Sequence, residues 1–190
     1  MNLLKNDLTI SQIRKQLFDL LLKDSFFREK IILSSGKESD YYFDARRITL
    51  SSQGAYLCGR IILDMLKNES IDTIGGPTLG ADPLLGAIAV LSYQMQKPVN
   101  TFIIRKVPKA HGKQQQIEGP ILKKGARVIL IDDVATTGKA FIESIDVLAR
   151  EGIKVQKAVC LVDRGEGAKE ALAVKGCELV SIFTAKEFLQ

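Results

Sequence analysis

The spacing of apolar and polar residues separates a short N-terminal part from a longer, regularly patterned part. From about 11 to 27, leucine and isoleucine recur at helical spacing and predict a helix. Two short apolar runs follow at 31–33 and 41–43, on either side of a Ser-Ser-Gly turn, and predict two strands. Residues 1–50 are therefore expected to form a small element of one helix and two strands.

From about residue 51 onward, predicted strands alternate with predicted helices. The strands are expected at 73–74, 101–104, 128–131, 158–162 and 179–183. The helices are expected around 58–66, from Asp82 as the N-cap, at 138–150 and at 168–175. This alternation, with an unbroken apolar run at 128–131, is typical of an α/β fold whose mainly parallel sheet is flanked by helices. Ligands of such sheets bind beyond the carboxyl ends of the strands.

The composition narrows the class of protein. The chain has 190 residues, of which 46% are apolar and 26% are charged, and this fits a single globular domain over residues 1–190. No apolar run reaches the ~18 residues that span a bilayer, and the N-terminus lacks the pattern of a signal peptide. The three cysteines lie far apart, so they are expected to be buried thiols of a cytoplasmic protein.

The net charge of +5 is concentrated in one segment. Residues 105–125 contain six cations and one acid, whereas the rest of the chain has equal numbers of acids and bases. A uniformly basic surface would suggest nucleic acid as a partner, but an excess held in one segment favours a local anion site. No aromatic residue lies between Phe102 and Phe141, which argues against a groove that stacks bases.

The strongest motif spans 128–140 and reads Val-Ile-Leu-Ile-Asp-Asp-Val-Ala-Thr-Thr-Gly-Lys-Ala. A buried strand leads to the carboxylates of Asp132 and Asp133 and then to a turn that opens a helix. Backbone amides at such a turn suit a phosphate, and the carboxylates suit hydroxyl groups or a metal ion. The alternative is that Asp133 or Thr136 only caps the helix. The glycine spacing excludes a P-loop and a dinucleotide-binding motif.

Residues 105–119 have the composition of a long functional loop. They contain four cations and the only histidine, His111, directly after a predicted strand. Apolar periodicity is missing, and Pro108, Gly112 and Gly119 interrupt the segment. Long loops within a domain are commonly lids or binding loops, so this segment is expected to close over an anion.

The 128–140 motif resembles the signature of the type I phosphoribosyltransferase family, which binds 5-phosphoribosyl 1-pyrophosphate (PRPP). The resemblance implies the fold of that family, with the N-terminal element as a small hood. It assigns the ribose hydroxyls, and a catalytic role, to Asp132 and Asp133. The further PRPP-binding residues that it implies are Val134, Ala135, Thr136, Thr137, Gly138, Lys139 and Ala140.

The Arg-Lys-x-x-Lys-x-His-Gly pattern at 105–112 is similar to the catalytic loop of the orotate-using branch of this family. That resemblance implies pyrophosphate contacts by Arg105, Lys106, Lys109 and His111, made in the active site of the neighbouring subunit of a homodimer. Lys109 and His111 would stabilise the leaving charge or supply a proton. Mg²⁺ is the implied cofactor, held mainly through PRPP and without a direct protein ligand.

Further segments agree with the resemblance. The pyrophosphate loop of the family matches Gly76-Pro77-Thr78-Leu79-Gly80, although some bacterial members have lysine where this chain has Gly80. Residues 33–44 resemble the segment over which orotate stacks. An arginine after a strand would face the orotate carboxylate, for which its planar fork is well suited. The orotate-binding residues that the resemblance implies are Lys37, Tyr42, Phe43, Thr136 and Arg164.

The resemblance therefore implies an enzyme that transfers the 5-phosphoribosyl group of PRPP to orotate in pyrimidine biosynthesis. One alternative is a purine phosphoribosyltransferase on the same fold. The other is a regulator that senses PRPP and binds nucleic acid, which the positive net charge favours. The sequence has no basic helix or appended DNA-binding motif to support that regulator. The expected partners are small-molecule substrates and a second subunit, without nucleic acid or membrane.

Overall fold

The structure is a computed structural model that describes residues 8–32, 38–107 and 115–190. Lys37, Lys109 and His111 lie outside these residues, so the roles expected for them remain predictions. None of the described helices is long and apolar enough to cross a membrane.

Short N-terminal elements are followed by alternating strands and helices. The helices are α1 (Ile10–Asp24), α2 (Arg46–Thr49), α3 (Ser52–Met65), α4 (Asp82–Gln94), α5 (Lys139–Arg150), α6 (Ala168–Val174) and α7 (Lys186–Leu189). The strands are β1 (Phe26–Phe27), β2 (Ile31–Ile32), β3 (Glu38–Ser39), β4 (Tyr42–Phe43), β5 (Thr73–Pro77), β6 (Asn100–Ile104), β7 (Ile117–Glu118), β8 (Val128–Ala135), β9 (Val155–Asp163) and β10 (Glu178–Thr184).

One mainly parallel sheet contains the larger strands, in the order β10-β9-β8-β5-β6-β7. Its neighbouring strands are parallel except β6 and β7, which are antiparallel. The predicted α/β architecture is thus confirmed. From β5 the chain continues to β6 and β7 on one side of the sheet, and from β8 it continues to β9 and β10 on the other side. The direction of strand order therefore switches between β5 and β8. Ligands of α/β proteins bind in the crevice at such a point.

Helices cover both faces of the sheet because its central strands are apolar on both faces. In β8, Ile129 and Ile131 belong to one buried cluster, and Val128 and Leu130 belong to the other. Helices α1, α3 and α4 contribute to the first cluster, and α5 and α6 contribute to the second. Two-sided burial explains why no polar residue interrupts the start of β8.

The N-terminal helix ends earlier than its apolar pattern predicts. It ends at Asp24, because Phe26 and the next residue form β1 and pair with β4. The ring of Phe26 lies 5.1 Å from that of Phe43 and 5.9 Å from that of Phe188, within the buried core. Burial of these rings outweighs the weak helical preference of phenylalanine. The same packing joins the N-terminal element to α7, which the sequence pattern does not predict.

The three cysteines are buried and unpaired, as predicted. Burial raises the pKa of the Cys58 thiol to about 12 and that of Cys177 to about 11. Thiols with such pKa values stay protonated at neutral pH, so these cysteines act as small apolar residues of the core.

Candidate active site

The loops that follow β5 and β8 leave the sheet beside each other at the switch point. The loop after β5 runs from Pro77 to the start of α4, and the turn after β8 runs from Ala135 to the start of α5. Because β5 and β8 are parallel neighbours, both loops emerge at the same edge of the sheet. The segments expected to bind pyrophosphate, ribose and phosphate are therefore brought together there.

The acid pair lies inside β8 and not after it, since the strand continues to Ala135. Asp132 is buried, with 7% of its surface exposed, and Asp133 is half-buried. Asp132 Oδ1 accepts a hydrogen bond from the Asp133 amide at 2.9 Å, and Asp133 Oδ1 accepts one from the Val134 amide at 2.7 Å. These bonds fix the orientation of both carboxylates before a ligand binds.

Burial gives the acid pair an unusual affinity for protons. It raises the pKa of Asp132 well above the ordinary value, and the neighbouring charge of Asp133 raises that pKa further. Burial also raises the pKa of Asp133. Lys106 lowers the pKa of Asp132, and Arg46 lowers that of Asp133, but burial outweighs both cations. A ligand that donates hydroxyl hydrogen bonds would favour the charged form of such carboxylates.

The turn after β8 leaves the N-terminus of α5 open. Gly138 is its N-cap, with φ 79°, and no side-chain hydrogen bond caps this helix in the described part of the chain. Asp133 and Thr136 therefore do not have the capping role that the sequence left open. A Cβ on Gly138 would lie 2.7 Å from Leu172 Cδ1, so the left-handed backbone and the close packing both require glycine. Open amides at a helix N-terminus suit a phosphate group.

The loop after β5 meets the acid pair at Gly80. A Cβ placed on this glycine would collide with the Oδ1 atoms of both Asp132 and Asp133. The loop also contains a cis peptide bond, between Thr78 and Leu79. Glycine lets the loop backbone lie directly against the carboxylates, whereas a side chain on this backbone would require the loop or the carboxylates to shift.

The start of α4 differs from the prediction. Asp82 is the first residue of the helix, and Ala81 holds the N-cap position that the sequence assigned to Asp82. The Asp82 carboxylate turns back to the loop, where Oδ2 accepts a hydrogen bond from the Thr78 hydroxyl at 2.7 Å. Its other oxygen, Oδ1, is buried and has no hydrogen-bond partner among the described residues.

The 105–119 loop starts directly after β6, and its end forms β7, which pairs antiparallel with β6. At its base, the Arg105 amide donates to the Gln116 carbonyl at 2.8 Å, and Arg105 Nη1 lies 3.4 Å from Glu118 Oε1. Lys106 is exposed and lies close enough to Asp132 to influence its pKa. The segment thus starts as a loop at the same edge of the sheet as the acid pair.

A cleft of about 370 Å³ lies between the base of this loop and α5. Its lining includes Pro77 at the end of β5, Arg105 and Lys106 after β6, and Ala140 in α5. Two clefts of similar volume lie around Pro120 and Ile121, and neither is lined by Pro77, Arg105, Lys106 or Ala140. The chemistry of the lining therefore favours the cleft beside α5 as part of the site.

Arg164 follows β9 and is held firmly on the other side of the acid pair. Its amide donates to the Ala135 carbonyl at 2.9 Å, which joins it to the turn after β8. The guanidinium carbon lies 4.7 Å from the centroid of the Tyr41 ring, and Nε lies 2.8 Å from Glu166 Oε1. Only 6% of the side chain is exposed. Burial and two partners fix the plane of the guanidinium.

Among the aromatic residues of the N-terminal element, Tyr41 is the one that contacts Arg164. Phe43, expected to stack on a ligand, is only 6% exposed and packs in the core against Phe26. Tyr42 is half-buried, and its ring lies 6.4 Å from that of Phe27. Stacking on a ligand stays a prediction for Tyr42 and Phe43, and Tyr41 joins the candidate residues.

Sequence reasoning missed Tyr41, Arg46 and Glu166. Arg46 lies in α2, a one-turn helix without a periodic signal, and its charge is close enough to Asp133 to lower the pKa of that carboxyl group. Glu166 follows Arg164 by two residues, and that spacing is the one signal that could have identified it.

In the described residues, no group of three or more His, Cys, Asp or Glu side chains is arranged to hold a metal ion. Asp132 and Asp133 nevertheless supply oxygen donors of the kind that Mg²⁺ prefers. Mg²⁺ commonly binds one or two carboxylates together with substrate phosphates and waters. The acid pair therefore fits a nearby magnesium ion that is held mainly by the substrate.

The chain belongs to the phosphoribosyltransferase family. The model of that family, described as a phosphoribosyl transferase domain, matches residues 48–189. Within the family, the chain groups with proteins named orotate phosphoribosyltransferase. One such relative, from Nostoc sp., is 38% identical over 181 residues, which cover 95% of this chain and 87% of the relative.

Solved structures agree with this grouping. The crystal structure of orotate phosphoribosyltransferase from Mycobacterium tuberculosis in complex with Fe(III) dicitrate is 34% identical, with a TM-score of 0.81 over 93% of this chain and 98% of that chain. The same protein in complex with PRPP is 30% identical in the comparison, with a TM-score of 0.78 over 94% of this chain and 99% of that chain. The similarity thus extends over the N-terminal element as well as the sheet.

Proposed function

We propose that the protein transfers the 5-phosphoribosyl group of PRPP to orotate, which yields orotidine 5-phosphate and pyrophosphate in pyrimidine biosynthesis. The observation that carries the proposal is the meeting of Asp132 and Asp133 with Gly80 and the open N-terminus of α5 at the switch point of the sheet. A sugar with a phosphate at one end and a pyrophosphate at the other matches these three features. The names of the relatives supply the identity of the acceptor.

PRPP would lie across the carboxyl ends of β5 and β8. The 5-phosphate would accept hydrogen bonds from the amides of residues 136–140 and from the hydroxyls of Thr136 and Thr137. The ribose hydroxyls would donate to Asp132 and Asp133, whose carboxylates are already oriented by the backbone. The pyrophosphate would rest on the loop that ends at Gly80.

The transfer exchanges one bond at the anomeric carbon of the ribose. A ring nitrogen of orotate attacks from the face opposite to the pyrophosphate, and its N–H proton passes to the departing pyrophosphate or to water. As this C–N bond forms, the C–O bond to pyrophosphate breaks and its electron pair leaves with the pyrophosphate. Positive charge then develops on the ribose ring, close to Asp132 and Asp133, which stabilise it electrostatically.

The basic loop of the neighbouring subunit would complete the site. Arg105, Lys106, Lys109 and His111 would neutralise the negative charge that grows on the departing pyrophosphate, and Lys109 or His111 would supply a proton. Closure of the loop also excludes water, which would otherwise hydrolyse PRPP. The antiparallel β6–β7 base gives the loop a fixed starting point for such a movement.

Orotate would bind between Arg164 and the N-terminal element. The guanidinium of Arg164 has a planar array of donors that matches a carboxylate. Its buried position beside Tyr41 lowers the effective dielectric constant, which strengthens an ion pair with the orotate carboxylate. Lys37 and Thr136 are the further candidates for contacts with orotate.

Mg²⁺ would be held mainly by the pyrophosphate and ribose hydroxyls of PRPP, with Asp132 and Asp133 as the nearby protein oxygens. When bound, the ion would neutralise charge on the pyrophosphate and so favour its departure.

We further infer that the protein is a homodimer whose 105–119 loop reaches the neighbouring active site, as the family resemblance implies. A cytoplasmic location follows from the proposed pathway, and the buried unpaired thiols are compatible with a reducing compartment.

The test is to mix the protein with orotate, PRPP and Mg²⁺ and to follow the loss of orotate absorbance. Parallel reactions with adenine and hypoxanthine examine the purine alternative. Conversion of a purine in place of orotate would overturn the proposed acceptor but keep the family. Binding of nucleic acid at physiological salt without any transferase activity would instead favour the regulator.

A further inference from the structure

Asp82 is an unexpected residue in the loop that is proposed to hold pyrophosphate. A negative charge at the first position of α4 opposes the binding of an anion there, because it offsets the positive end of the helix dipole. Its Oδ1 atom is buried without a hydrogen-bond partner in the described part of the chain, which adds a cost in stability. Because Asp82 is unfavourable both for anion binding and for stability, we expect it to have a function that compensates for these costs.

The contact that Asp82 makes points to that role. Its Oδ2 atom accepts a hydrogen bond of 2.7 Å from the hydroxyl of Thr78, the residue that precedes the cis peptide bond. The amide of Thr78 donates to the Ile104 carbonyl at 2.9 Å, so the residue is held on both sides. Between Thr78 and Asp82 lies Gly80, whose backbone rests against the acid pair.

We propose that Asp82 is a positioning residue of the transferase reaction, which holds Thr78 and thereby keeps the backbone of residues 77–81 in place against Asp132 and Asp133. The proposal rests on the proposed function for the reaction that it serves. A hydrogen bond to an ionised acceptor is shorter and stronger than one between neutral groups, which explains an acid at this position. The charge is tolerated because the hydrogen bond from the Thr78 hydroxyl stabilises it.

Four variants separate positioning from charge. Asp82→Ala removes the acceptor, and Thr78→Val removes the donor while it preserves the shape of the side chain. We expect each to raise the dissociation constant and the KM for PRPP about tenfold, with a smaller change in KM for orotate. We expect Thr78→Ser, which keeps the donor, to stay within about threefold of the wild type. Asp82→Asn keeps a neutral and therefore weaker acceptor, so its effect should lie between those of the wild type and Asp82→Ala.

The effects of changing Asp82 and Thr78 should also be non-additive. The double variant Asp82→Ala/Thr78→Val should be no worse than either single variant, because both remove the same hydrogen bond. Thr73→Val is a matched control at the opposite end of β5, where the buried Thr73 hydroxyl donates to the Asn100 carbonyl at 2.9 Å. It should lower the melting temperature and leave PRPP binding unchanged.

Two results would overturn the proposal. One is normal PRPP binding in Asp82→Ala and Thr78→Val with only a lower melting temperature, as in Thr73→Val. The other is an additive effect of the two changes, which would mean that the residues act separately. Calorimetry with PRPP reads both results even if wild-type protein fails to convert orotate, so failure of the proposed function is distinguishable from failure of the positioning role.

Discussion

The guanidinium of Arg164 lies over the ring of Tyr41, with its central carbon 4.7 Å from the ring centroid. Glu166 holds the Nε side of the same guanidinium at 2.8 Å. The group that is proposed to recognise the orotate carboxylate is therefore positioned by neighbours in the free protein. Such preorganisation reduces the conformational entropy that binding would otherwise lose.

The first prediction concerns this arrangement. Arg164→Lys keeps the charge but loses the planar fork and the contact with Tyr41. We expect it to lower kcat/KM for orotate by about 10- to 100-fold, with a much smaller change in KM for PRPP. Steady-state kinetics with each substrate varied in turn measures the effect.

Arg14→Lys is the matched control, because Arg14 also lies over an aromatic ring and pairs with an acid. Its guanidinium carbon is 4.4 Å from the centroid of Phe183, and Nη2 is 2.6 Å from Glu187 Oε2. The control should reduce thermal stability and leave orotate kinetics unchanged. Equal kinetic effects of the two variants would contradict a specific role for Arg164.

The second prediction is that Asp132→Asn stabilises the protein while it inactivates it. Burial holds the pKa of Asp132 above its unfolded value, so the folded state loses stability as pH rises through that raised pKa. Asparagine removes this loss at neutral pH and still accepts the hydrogen bond from the Asp133 amide. We expect a higher melting temperature at pH 7–8 and a decrease in kcat of about 100-fold or more.

The stabilisation should disappear on acidification. Below the ordinary aspartate pKa of about 4, Asp132 is protonated in both the folded and the unfolded protein, so the variant and the wild type should melt alike. Asp72→Asn should show the opposite sign. Hydrogen bonds from Arg127 lower the pKa of Asp72 to about 2, so its small stabilising effect exists at neutral pH and is lost as pH falls toward that value.

The third prediction is that Gly80→Ala disrupts PRPP binding. Its methyl group would collide with both carboxylates of the acid pair, so the loop or the acids must move. A displacement of this kind can lower kcat/KM by about 100-fold. Gly86→Ala is the control, since it lies within α4 and a Cβ there would meet nothing within 4 Å. It should raise stability by up to ~1 kcal/mol and leave activity unchanged.

The fourth prediction concerns the basic loop. Replacing Lys106, Lys109 and Lys113 by glutamine should raise the KM for PRPP or lower kcat by about tenfold or more, with little change in melting temperature. The matched control replaces three exposed lysines elsewhere, Lys97, Lys154 and Lys169, and lowers the net charge equally. An equal loss in both variants would mean that PRPP responds to overall charge and not to this loop.

The sheet and the turn after β8 were predictable because their signals are local. The unbroken apolar run at 128–131 requires burial on both faces, and Gly138 after Thr-Thr requires a special backbone conformation. The residues that sequence reasoning missed depend on tertiary contacts. Tyr41 is a candidate site residue only because the fold places Arg164, which follows β9, against its ring. Strand β7 has two residues, which is too short to show an apolar pattern.

The start of α4 also depends on a contact that the local sequence pattern does not predict. Asp followed by Pro is a strong signal for a helix start, and α4 does begin there. The local rule places the aspartate at the N-cap, where it would bond amides of its own helix. In the folded protein the nearby hydroxyl of Thr78 binds the carboxylate, and the helix begins without a side-chain cap.

The antiparallel base of the 105–119 loop determines which changes in loop length and sequence the fold can tolerate. Because Arg105 and Gln116 are hydrogen-bonded to each other, the two ends of the loop stay together whatever lies between them. The free energy of closing a flexible loop rises by only ~0.6 kcal/mol for each doubling of its length. Insertions and substitutions between these two residues can therefore accumulate without unfolding the sheet.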